Sequence, residues 1–197
     1  SLLVPNLDGF QTSISFLNHF LLKRKNKSVS IKISVYCKKG TLLDSIYEEI
    51  LEPRVYSYCL SEIFNHLDDI NSYQVEFYSS KNLFIPFPAV IVDHTSKYCK
   101  NIVHSYNRIL NDINEEYSIN SKSVYESSFE VIRKKDTCSG FIFHTGQYAV
   151  KDELELILFL KGEKTNIRLN IDLPPFSVKF FSLENYLKVE NEYYVCH

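Results

Sequence analysis

Residues 28–36 read S-V-S-I-K-I-S-V-Y. Val29, Ile31, Ile33 and Val35 fall on one side of an extended chain and Ser30, Lys32 and Ser34 on the other, because successive side chains of a strand point to opposite faces. This is a strand with one face in a core and one in solvent. The apolar run before it, residues 13–22, reads as its hairpin partner, and the basic stretch 23–27 as the connecting loop. Strand character returns at residues 54–58, 73–78 and 83–92. In the last third it covers 128–132, 139–144, 153–161, 166–173 and 176–181. Pro86 and Pro88 lack ladder donors, which puts the start of the 83–92 strand at an edge or a bulge.

Three stretches carry helical spacing instead. Leu42, Leu43, Ile46, Ile50 and Leu51 recur on one stripe before Pro53, and Leu60, Ile63, Phe64, Leu67 and Ile70 form a second, capped by Ser57 or Ser61. The strongest pattern is residues 101–117, where Ile102, Val103, Tyr106, Ile109, Leu110, Ile113 and Tyr117 share a stripe and predict the longest helix. Ser182 is placed to cap a final short turn through residue 187.

Composition agrees with a sheet-rich globular chain. The 14% aromatic content comes from Tyr and Phe alone, residues that suit the half-buried surface of a sheet. A chain of 197 residues buries enough surface to be stable without disulfides or metals, and it reads as one globular domain spanning 1–197. The formal charge of −2 argues against nucleic acid or an anionic membrane as partner. No apolar run reaches the length of a membrane-spanning helix. Five cysteines without a C-x-x-C pair fit free thiols in a reducing compartment, so the expected location is cytoplasmic, and no cofactor is implied.

A faint internal repeat links the two ends. Gly40 matches Gly162 at an offset of 122, Val55 matches Val178 and Leu60 matches Leu183 at 123, and His19 matches His144 at 125. The repeat spans 10–66 and 136–189, joined by a strand-helix insert at 73–117. Two related β units that each bury one face pack most simply against each other. The expected fold is therefore mainly β: a two-sheet antiparallel β-sandwich from two diverged repeats, with a few short helices and one longer helix. An α+β single sheet with helices on one face is the alternative.

The densest polar cluster runs from Asp93-His94 to His104, Tyr106, Asn107 and Arg108, and His144 joins it as the repeat partner of His19. Asp93 is placed to orient His94 as a general base, and Arg108 to clamp an anion with its planar fork. The competing reading is a solvated helix face, with Arg108 and Asp112 as an i,i+4 pair. No H-x-H or H-E-x-x-H spacing supports a metal, and no G-x-S-x-G elbow or phosphate loop is present. The sequence therefore favours a non-enzymatic module that binds a small molecule, a carbohydrate or a protein. A small enzyme using the His/Arg cluster on an anionic substrate is the alternative, and a homo-oligomer is a third expectation.

Overall fold

The computed structural model describes residues 2–79, 89–105, 128–135 and 138–196. Along the amino-terminal part run β1 (Leu2–Pro5), β2 (Gln11–Leu17), α1 (His19–Arg24), β3 (Val29–Cys37), β4 (Leu42–Glu49), β5 (Val55–Cys59), α2 (Leu60–Ile63), β6 (Ile70–Ser79), β7 (Val90–Thr95) and β8 (Lys100–Ser105). The carboxy-terminal part holds β9 (Phe129–Ile132), β10 (Gly140–His144), β11 (Val150–Leu160), β12 (Glu163–Leu173), β13 (Val178–Ser182) and β14 (Tyr193–Cys196). The described fold is mainly β, with antiparallel strands, three four-stranded sheets and two very short helices.

The sheets run in the orders β1-β6-β3-β4, β5-β2-β7-β8, β12-β11-β14-β9 and β10-β13. Side chains from the first two pool into one hydrophobic cluster: Ile31, Ile33, Val35 and Val75 from one, Ile14, Phe16, Tyr56 and Val92 from the other. Phe16 of β2 meets Phe77 of β6 edge-on, with ring centroids 4.9 Å apart, so the contact crosses between the sheets. Full burial of side chains of this size stabilises the fold by about 1.5–3 kcal/mol each. The carboxy-terminal part has its own clusters. Leu156, Leu158, Ile167 and Tyr194 pack with Leu183 and Leu187, and Ile171 and Leu173 pack with Phe181, while Phe141 borders both groups.

The strand at 28–36 forms as expected, but its outer face is not solvated: Ser30 and Ser34 are buried. A serine is short, and its register partners on β6, Tyr78 and Gln74, are long. Residues 13–22 are not the hairpin partner of β3. β2 ends at Leu17 and pairs with β5 and β7, and Asn18 then caps α1 by accepting the Leu21 N–H at 3.1 Å. The chain thereby crosses from one sheet to the other, and part of the basic stretch forms the last turn of α1.

The helix predicted over 42–51 is the strand β4. Asp44, Ile46 and Glu48 fit a period of two while Leu42, Leu43, Ile46 and Ile50 fit a helical stripe, and the ladder that β3 offers from Ser30 to Tyr36 decides between them. The second predicted helix shrinks to the single turn of α2, entered from Cys59 without a side-chain cap. Among the described residues there is no long helix. Residues 101–105 of that prediction are strand β8, held by β7, and residues 106–117 lie outside the described residues.

The two parts meet at a seam. Gly40, in the turn between β3 and β4 at φ +74°, lies against the chain at Pro175, and a Cβ there would stand 2.2 Å from the Pro175 carbonyl oxygen. Gly162, in the turn between β11 and β12 at φ +91°, has open space around it. Both positions penalise a side chain through backbone conformation, but only Gly40 adds a clash. Gly40→Ala is expected to lower stability by roughly 1–3 kcal/mol more than Gly162→Ala in urea unfolding. Equal losses would mean that the Pro175 contact is not formed.

Candidate functional site

The predicted site residues do not form one described cluster. His94 sits in β7, 4% exposed, opposite Thr12 of β2 and Asn101 of β8. Its Nδ1 shares a 3.1 Å hydrogen bond with Thr12 Oγ1, and the Thr12 N–H donates to Ser61 Oγ at 2.8 Å. Neighbouring strand residues point to opposite faces, so the Asp93 carboxylate turns away from that network. It takes Lys100 Nζ at 2.6 Å and the Thr95 hydroxyl at 2.7 Å, and these hold its carboxyl below the ordinary value. The group that orients the His94 ring is thus Thr12. His104 lies in β8 opposite Ile91, and Tyr106, Asn107 and Arg108 lie outside the described residues. His144 ends β10 opposite Val178.

Burial lowers the imidazole of His94, partly offset by the Asp93 charge. Burial also lowers His144, partly offset by a backbone hydrogen bond at Thr145. In the unfolded chain both rings titrate near the ordinary 6.5. Between that value and the lower folded one, the unfolded state binds a proton that the folded state refuses. Stability is therefore complete above 6.5 and falls as pH drops below it. His94→Gln, which can keep the bond to Thr12, is expected to make urea midpoints less dependent on pH below the ordinary imidazole value of 6.5. An unchanged slope would show that His94 does not carry it.

A different set of side chains converges at the seam. Asn71 of β6 donates from Nδ2 to the Val178 carbonyl at 3.1 Å and accepts the Val178 N–H on Oδ1 at 2.8 Å. The Ser72 hydroxyl donates to the Phe176 carbonyl at 2.6 Å, and Tyr36 stacks on Phe176 with centroids 4.4 Å apart. Phe176 is left-handed, with φ +51°, a conformation uncommon for a bulky residue. Beside this clasp opens a cleft of about 200 Å³, lined among others by Leu7, Asp8, Lys38, Asn71, Ile142 and Phe180. Ile142 and Phe180 are register partners on β10 and β13, 37% and 46% exposed. Val178 also lines the cleft, so His144, opposite it, stands next to this site.

The polar groups of the cleft are largely engaged already. Asn6 donates to the Ile70 carbonyl at 3.0 Å and accepts from Tyr73 at 3.2 Å, both bonding groups of Asn71 go to the seam, and Lys38 stands 3.7 Å from Asp69. What it offers a ligand is an apolar ledge rimmed by one acid and one base. Sequence reasoning missed it, although a signal was present. In residues 140–144, G-F-I-F-H, no polar residue alternates with the apolar ones, so both faces of that strand need cover.

Comparison with known proteins gives no relative. No protein-family model, no curated protein and no solved structure matches the chain. Among the described residues, no group of three or more His, Cys, Asp or Glu side chains is placed to hold a metal ion, and no helix is long and apolar enough to cross a membrane.

Proposed function

We propose that this chain is a non-enzymatic interaction module made of two related β-sandwich halves, and that its partner is a protein whose apolar side chains seat on the Ile142–Phe180 ledge. The observation that carries this reading is the cleft. At about 200 Å³ it falls below the roughly 300–1,000 Å³ of ordinary small-molecule sites, and it suits one or two inserted side chains. A sugar would want free amides and carboxylates, and the asparagines here are spent on the fold. The five free thiols support a reducing, cytoplasmic setting.

The kinship of the halves rests on pairing. β1-β6-β3-β4 and β9-β14-β11-β12 have the same order, and β2·β5 corresponds to β10·β13. Leu60 and Phe64 close a buried helical turn after β5, and Leu183 and Leu187 close one after β13, in each case with the later N–H on the earlier carbonyl. Asn18 and Thr145, both buried, close the same loop: Asn18 Nδ2 donates to the Glu52 carbonyl and Thr145 Oγ1 to the Pro174 carbonyl. In this correspondence Leu17, opposite Val55, stands where His144 stands opposite Val178.

Selection of displayed peptides on the purified chain tests the reading. Peptides with paired apolar residues are expected to be enriched, and Phe180→Asp is expected to weaken them at least about tenfold, the loss of one buried aromatic anchor. Binders indifferent to Phe180→Asp, or a glycan that binds equally well to that variant, would overturn it.

A further inference from the structure

We infer that the second edge of β10 is a self-association edge: two copies of this chain join antiparallel through β10, with Ile142 at the two-fold axis. The direction of the backbone groups follows from two flanking bonds. The Leu183 N–H donates to the Ser139 carbonyl at 2.8 Å and the Thr145 N–H to the Ser177 carbonyl at 3.0 Å. In an antiparallel ladder hydrogen-bonded pairs alternate, so Phe141 and Phe143 exchange bonds with β13. Gly140 and Ile142 turn their N–H and C=O groups to the far edge. Among the described residues no strand pairs there.

The corresponding edge in the other half is occupied. The Asn18 N–H donates to the Arg54 carbonyl at 3.1 Å, which sends the bonds of Ile14 and Phe16 to β5 and those of Ser13 and Ser15 the other way. Ser13 and Ser15 are there opposite Asp93 and Ile91 of β7, an antiparallel strand. The inference takes from the proposed function only this correspondence of the halves. β10 is built to accept the same kind of neighbour, and its own sequence says which.

G-F-I-F-H is nearly symmetric about Ile142. Antiparallel self-pairing centred there sets Phe141 opposite the partner's Phe143 and Ile142 opposite the partner's Ile142. Aromatic pairs on one face and apolar contact on the other are the side-chain pairs that stabilise a ladder. The strand holds no charged residue and no proline, the devices that usually guard an exposed edge. The remaining outer strand of that sheet, β13, carries Lys179, and the outer strands β4 and β12 carry several charges. A two-fold contact also closes on itself, giving a dimer and not a fibre. The product is a four-stranded sheet, the size the other half reaches with β7 and β8.

The test is the particle mass of the purified full chain by sedimentation and light scattering across the micromolar range, with no ligand added. The expected mass is twice the 23.1 kDa of one chain. Ile142→Lys, which sets two ammonium groups face to face, and Ile142→Pro, which removes the outward N–H, are expected to give monomers with the circular dichroism of the wild type. Exchange of the Ile142 amide in the unmodified chain reads the same edge without a variant: slow when concentrated and fast on dilution. A monomer at every concentration, a dimer that survives both substitutions, or a fast Ile142 amide in a dimer would each overturn the inference. A monomer that still binds peptides through Phe180 would leave the proposed function standing, so the two fail separately.

Discussion

Asn71 does between the two parts of the chain what a neighbouring strand does within a sheet. Its carboxamide has one donor edge and one acceptor edge, and it meets the carbonyl and the N–H of Val178, 107 positions away, while the Ser177 hydroxyl also donates to its oxygen at 3.4 Å. The candidate site is positioned by that exchange together with the Ser72 bond to the Phe176 carbonyl. The two fix the start of β13 against the start of β6, seat Phe176 under Tyr36, and bring the Ile142–Phe180 pair to the edge of a cleft whose other wall is Leu7, Lys38 and Ile70. Substituting one partner would leave Val178 with an unpaired N–H and carbonyl in a partly buried seam, the costly way to lose a hydrogen bond.

Each side of the seam is organised by the same closure. A buried polar side chain follows the second strand and donates to the carbonyl that ends the following hairpin, asparagine in one half and threonine in the other. Two different residues reach the same solution because the constraint belongs to the backbone: a carbonyl at the end of a hairpin needs a donor once it is buried. Where the halves differ, the difference is additive. The amino-terminal half inserts α1 between its second and third strands and extends one sheet by β7 and β8, whereas the described carboxy-terminal half keeps that sheet at two strands. That leaves one edge of β10 without a strand among the described residues, where the amino-terminal part has β7 beside β2.

Much of the strand inventory was legible because it rests on local alternation. Val29 to Val35 alternate strictly, and a ladder on both sides only confirms what the side chains demand. The stretch 42–51 was illegible for the opposite reason. Leu42 and Leu43, taken as part of a helical stripe, are 49% and 38% exposed, and the choice of strand lies in β3, outside the segment itself. Of the positions that suggest a repeat, Val55 and Val178 both open strands that pair with the second strand of their part, and Leu60 and Leu183 are both fully buried. His19 drew attention only because it resembles His144, and it opens α1 instead. Only the ledge left a trace in the sequence, the unbroken F-I-F of β10; the rest of the cleft is made by contacts more than 100 residues apart that leave no periodic trace. The predicted His/Arg cluster relied on the end of one strand meeting the start of a helix. Of its described members His104 lies on the strand β8 in place of that helix, and Asp93 and His94, neighbours on β7, point apart.

Amide hydrogen exchange on the wild type and on Asn71→Leu measures most directly whether two separately cored halves are held at this seam. Removing the carboxamide should speed exchange of the Val178 amide on the order of tenfold, the value of one hydrogen bond, while Ile33 and Leu158, each on a strand flanked by strands on both sides within its own core, keep their protection. A uniform loss of protection at Ile33, Leu158 and Val178 together would mean one merged cooperative core, and would contradict the division into two halves joined by Asn71.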